Sequence, residues 1–120
     1  MMNINRIFKN ERLILSLTGL NSKEFKELLP AFSAIWQSRK RNYHRLHTTG
    51  VRAFGGGRKG FLPTVEAKLF YILFYFKCYP TFDLAGFIFG CDRSKACLRQ
   101  QELSKTLESS LGKKLVMPKR

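Results

Sequence analysis

Between Lys68 and Lys77 the chain runs through Leu69 to Phe76, LFYILFYF, with no polar group except two tyrosine hydroxyls. A segment apolar on every side must be hidden from water, either in a bilayer or in a protein core. Spanning a bilayer takes about 20 apolar residues, and this run is far shorter and bounded by ammonium groups, so it is core. The rest of the chain must wrap around it. Its aromatics suit a strand, but the length of the apolar segment from Ala67 to Cys78 favours a helix. Pro63 and Thr64 supply the start, with Thr64 as cap and Glu66 and Ala67 in the first turn. Tyr79-Pro80-Thr81 supplies the stop.

The flanking sequence reads as helix on both sides. Residues 10 to 18 carry Leu13, Ile14 and Leu17 at helical spacing after Asn10 and before Gly19, a short helix with both end signals. Asn21 or Ser22 opens a longer one, in which Phe25, Leu28, Leu29, Phe32, Ile35 and Trp36 form one apolar stripe. Pro30 within it is expected to kink it, because proline removes a backbone donor and crowds the preceding turn. After Thr81, FDLAGFIF reads as a short helix ended by Gly90, and Asp92 caps a last helix from Arg93 to about Ser110. The fold class expected is all-α. At 120 residues this is one domain: N-terminal helices over 1–46, a basic Gly-rich loop over 47–62, a helical core over 63–112 and a basic linker over 113–120.

Charge narrows the partner. Lys plus Arg number 22 against 8 Asp plus Glu, a net charge of +14, and a field of that size concentrates polyanions. Double-stranded DNA leads, and an anionic lipid surface follows. The excess is concentrated in Arg39, Lys40, Arg41, Arg45, Arg52, Arg58 and Lys59, which lie in a stretch with no acid between Glu27 and Glu66. Arg39, Lys40, Arg41 and Arg45 are candidate backbone contacts, with solvated cations at a helix C-terminus as the plainer reading. Arg58 and Lys59 sit in GGGRKG, which lacks the G-K-[ST] ending of a nucleotide-binding loop and better suits tracking a nucleic-acid backbone.

The helices expected at 82–89 and 93–110 are separated by Gly90-Cys91-Asp92, the spacing of a helix-turn-helix. On the second helix Ala96, Gln100, Leu103, Leu107 and Leu111 recur at steps of three and four and turn inward, which directs Ser94, Leu98, Gln101 and Lys105 outward. Arg93, Lys95 and Arg99 flank that face near its start. Arg and Gln donate to base edges and Lys meets phosphate, as in a recognition helix. Two packed helices with a short turn are also ordinary all-α architecture; the net charge favours DNA. Leu98 would touch a thymine methyl, meet another subunit or simply be tolerated.

Other chemistries lack their residues. His44 and His47 are three apart, Cys91 and Cys97 six apart, and neither spacing makes a zinc knuckle. The acids are scattered, with no group of carboxylates for two-metal phosphoryl transfer and no acid placed to orient a Cys/His or Ser/His pair. No catalytic residue, metal or cofactor is expected. Three cysteines including Cys78 make no disulfide framework. Arg6, Lys9, Glu11 and Arg12 interrupt any export signal. A cytoplasmic, membrane-free protein is the expectation.

GGGRKGFLPTVEAKLFYILFYFKCYPTFDLAGFIFGCDRSKAC and the closing LGKKLVMPKR resemble the N-terminal helix-turn-helix region of insertion-sequence transposases of the DDE superfamily, and TGLNSKEFKELLPAFSAIWQSRK resembles the helix that precedes it there. The resemblance implies binding to the terminal inverted repeats of a mobile element during DNA transposition. It also implies a following RNase H-like catalytic domain, absent from this chain, whose metal-binding carboxylates find no matching position here. It transfers the binding role to Arg93, Ser94, Lys95 and Arg99; at Arg99 the family often has an apolar residue, and this chain departs. Candidate partners besides DNA are the catalytic part of a transposase and a second copy of the chain. Two origins fit, a first reading frame completed by frameshift or a decayed remnant. The rival functions are a protein-interaction module using the 67–79 helix and the Leu103, Leu107, Leu111 face, and a charge-driven nucleic-acid binder blind to sequence.

Overall fold

The computed structural model describes residues 4–47 and 61–111, with side chains over 4–42 and 61–111. Six helices are described: α1 (Ile4–Phe8), α2 (Glu11–Thr18), α3 (Ser22–His47), α4 (Val65–Cys78), α5 (Phe82–Phe89) and α6 (Arg93–Leu111). The all-α expectation holds. α1 was not anticipated: INRIF is a single turn with one buried side chain, Ile7, too short for periodicity to show.

The end signals act as the sequence suggests. Asn10 accepts from the Arg12 and Leu13 amides and Gly19 closes α2 in the left-handed region at φ 79°. Asn21 and Glu24 exchange backbone and side-chain bonds at 2.8 and 3.1 Å, a reciprocal cap that satisfies two amides at the start of α3. Glu11 accepts from the Ser22 amide at 3.3 Å, and the bonds from Ser22 hold its carboxyl below the usual range. α3 runs without a break through Pro30, which is exposed. Thr64 accepts from the Ala67 amide, and Tyr79 ends α4 at φ 53°; among the described residues it is the one non-glycine with positive φ.

α4 is the axis of the molecule. Leu69 through Leu73 are at most 1% exposed and Phe74 5%, so the apolar run is enclosed as far as Phe74, while Tyr75 and Phe76 are half-buried. α2, α3 and α6 pack against it, α5 packs on α6, and α3 reaches across to α6. The α3 stripe supplies Phe25, Leu28, Phe32 and Trp36 to this core, each worth about 1.5–3 kcal/mol when removed from water. The Leu103, Leu107, Leu111 face is buried under the chain's own helices, so it is no open surface for a partner. Phe61 and Leu62, assigned to the basic loop by composition, join the core instead. Leu62 is buried and the Phe61 ring meets Tyr71 edge-on at 5.9 Å. The remaining loop residues of the 47–62 assignment, apart from His47 at the end of α3, lie outside the described residues, as does the 113–120 segment.

Candidate nucleic-acid interface

The turn between α5 and α6 is built from backbone. Gly90 adopts φ 78°, a left-handed conformation that favours glycine. The Gly90 and Cys91 amides both donate to the Gly86 carbonyl, at 2.8 and 2.9 Å, satisfying the end of α5. Asp92 then accepts from the Lys95 amide at 2.8 Å and starts α6. A methyl group on Gly86 would sit 2.5 Å from the Cys91 carbonyl oxygen, so only glycine lets the turn fold back this closely. A lone glycine inside an apolar helix is the sequence signal for such an approach.

Tyr71 of α4 fixes the start of α6 from below, donating its hydroxyl to the Ala96 carbonyl at 2.6 Å. Burial pushes its ionisation well above the ordinary tyrosine value, so it is held neutral. Tyr71→Phe is expected to cost about 1 kcal/mol at pH 7, the usual net worth of one buried hydrogen bond. The tyrosine's contribution is complete below about pH 10, where the unfolded phenol is still neutral, and is lost as pH rises beyond it. The gap between wild type and variant should therefore narrow from pH 8 to pH 10.5 in urea unfolding; a gap independent of pH would contradict a phenol held neutral by the fold.

α6 presents the face expected of it. Ser94, Leu98, Gln101 and Lys105 are all exposed and fall in one line at helical steps, with Leu98 61% exposed. Arg93 and Lys95 are exposed on either side. Glu108 lies one turn beyond Lys105, also exposed, and ends the run of neutral and cationic groups. Inward, Ala96, Leu103, Leu107 and Leu111 are buried, while Gln100 is only half-buried. Thr106 and Ser110 are buried beside them, donating to the Glu102 and Thr106 carbonyls at 3.2 and 2.8 Å. Backbone satisfaction by small hydroxyls lets polar letters occupy a core face, which an apolar pattern misses. Cys97 was also missed: it lies one turn from both Arg93 and Gln101, and the Gln101 amide reaches its sulfur at 3.7 Å.

The remaining candidates separate. Arg99 is half-buried and Lys40 comes over from α3. Both bind Glu102, Arg99 Nη1 at 3.3 Å from Oε1 and Lys40 Nζ at 3.0 Å from Oε2. The Lys40 ammonium also stands 4.7 Å from the Trp36 ring centre. Arg39 and Arg41 are exposed. The side chain of Arg45 lies outside the described residues, and so do Arg58 and Lys59. Among the described residues no three His, Cys, Asp or Glu side chains gather where a metal ion would need them. No described helix is long and apolar enough to cross a membrane. Burial raises the Cys78 and Cys91 thiols above their ordinary range, which keeps them as thiols and weak nucleophiles.

No curated protein and no solved structure matches the chain. A family model does match, over residues 61–113, from the last residues before α4 through the end of α6. It spans the axis helix, the short helix, the turn and the helix with the exposed line of side chains. The match is to the helix-turn-helix of DDE superfamily endonuclease, an element that points to DNA binding.

Proposed function

We propose that this chain is the end-binding module of a transposase, recognising the terminal inverted repeat of a mobile element with α6 in the major groove. The exposed line Ser94, Leu98, Gln101 and Lys105 on the second helix of the helix-turn-helix carries the reading. In this arrangement the N-terminal half of the helix meets base edges. Gln101 offers the paired donor and acceptor that suit adenine, and Leu98 an apolar contact for a thymine methyl. Ser94 bonds a base edge or phosphate, while Arg93, Lys95 and Lys105 meet phosphates along the groove. Arg45, Arg58 and Lys59 add cations that track the backbone. Transposition then needs a catalytic part carrying the metal-binding carboxylates, which this module would deliver to the element's end.

The test compares the purified chain on the element's terminal repeat and on a scrambled duplex of equal length, at low and physiological salt. A preference of roughly a thousandfold at physiological salt is in the range of specific recognition and is the expected result. Gln101→Ala should lose about tenfold on the repeat and little on the scrambled duplex, the value of one base contact. Equal, salt-labile binding to both duplexes would overturn sequence reading and leave a charge-driven binder.

A further inference from the structure

The flank of α6 that meets α3 carries more positive charge than its one carboxylate neutralises. Arg39 and Lys40 come from α3, Lys68 from α4 and Arg99 from α6, with Glu102 the acid among them. Trp36, Arg39, Lys40 and Glu102 line an open depression of about 100 Å³, with room for a phosphate group. Trp36 forms its floor and is 8% exposed. The Lys40 and Lys68 ammonium groups stand 4.7 and 5.2 Å from its ring centre. Glu102 places one oxygen on Lys40 and the other on Arg99, so two cations that would repel are drawn together across the helix junction. Arg99 uses one N–H on Glu102, out of the five a guanidinium carries.

We infer that this depression clamps a DNA backbone phosphate beside the groove that α6 reads. Arg39 on α3 and Arg99 on α6 are the two jaws, and Glu102 is a positioning residue that holds the second jaw against α3. The inference rests on the DNA-binding reading above and gives α3 a part in it that a bare helix-turn-helix lacks. Lys95, one turn before Arg99 on the same flank and exposed, extends the cationic edge toward the start of α6. Phosphate contacts position a protein without reading sequence, so the clamp would act equally on every duplex.

Arg41 provides the control. It stands two residues beyond Arg39, turned about 200° around the helix, and its removal changes net charge equally. Binding of the full chain to a random-sequence duplex is measured against salt for wild type, Arg39→Ala and Arg41→Ala. Each phosphate contact contributes about 0.9 to the slope of log affinity against log salt. Arg39→Ala is expected to make the slope shallower by about that amount and to weaken binding several-fold on random and terminal-repeat duplexes alike. Arg41→Ala is expected to leave the slope unchanged. Equal changes in both variants, or an unchanged slope in Arg39→Ala, would overturn the clamp while leaving the reading helix intact. A wild-type chain that fails to bind duplex at low salt would remove the DNA reading itself and the clamp with it.

Discussion

Phe89→Ala is expected to lower stability by about 3–5 kcal/mol, the range for deleting a buried aromatic ring. The ring is 3% exposed at the last position of α5 and touches three rings of α4: Tyr71 at 4.9 Å, Phe74 at 5.8 Å and Phe70 at 6.1 Å between centroids. Two of these contacts are edge-on, the geometry in which ring quadrupoles attract, so the loss exceeds that of apolar area alone. Small domains are stable by about 5–15 kcal/mol in total, and the variant should be partly unfolded near body temperature. In urea the midpoint should fall sharply with the slope unchanged. Phe89→Leu, which refills most of the volume, should lose less than half as much. A loss below about 1 kcal/mol for the alanine variant would mean that the Phe89 ring is not seated among the α4 rings as described.

That dependence explains why the fold was largely legible in the sequence. LFYILFYF leaves no choice but enclosure, and most helix boundaries around it carry a residue whose chemistry ends or starts a helix: Asn10, Gly19, Asn21, Thr64, Thr81, Gly90 and Asp92. Local capping and global burial agree, and such agreement marks a sequence with one fold. What escaped was set by tertiary contact. Ile4–Phe8 is helical although five residues make a poor helix alone; its Phe8 ring lies 5.1 Å from Phe25 and 6.1 Å from Phe70. Phe61 and Leu62 follow a glycine-rich basic stretch, and only packing against the folded core, for Phe61 against the Tyr71 ring, takes them out of the loop.

The candidate site divides in the same way. Spacing on one helix is a one-dimensional property, so Ser94, Leu98, Gln101 and Lys105 could be aligned from the sequence. The pairing of Lys40 with Glu102 joins residues far apart in the chain, and no local pattern encodes it. Arg39, Lys40 and Arg41 look equivalent as a run of cations, yet successive helical residues diverge by about 100°. The fold brings Arg39 and Lys40 to α6, while Arg41 lies on the far side of α3. Net charge announces a polyanion, but the fold decides which cations share one surface.

Gly86→Ala tests whether turn geometry and DNA reading are one property. In an ordinary exposed helix the change would stabilise by about 1 kcal/mol, since alanine is the better helix former. Here the added methyl meets the Cys91 carbonyl at 2.5 Å, and the obstacle is backbone held by two hydrogen bonds to Gly86 itself. Overpacking of this kind costs about 1–3 kcal/mol and sometimes more, and with no flexible side chain to yield, the upper end applies. The net expectation is a loss of about 2 kcal/mol. Relief requires the turn to move away from α5, which carries Asp92 and the first turn of α6 with it. Specific binding should then fall by more than the unfolded fraction explains, while affinity for a scrambled duplex holds. Gly90→Ala is the contrast: its cost of about 1–2 kcal/mol comes from left-handed backbone at φ 78°, and α6 keeps its seat. Measured per folded molecule, Gly86→Ala should lose specificity and Gly90→Ala should retain it. Equal specificity in the two would show that the close approach at Gly86 serves stability alone.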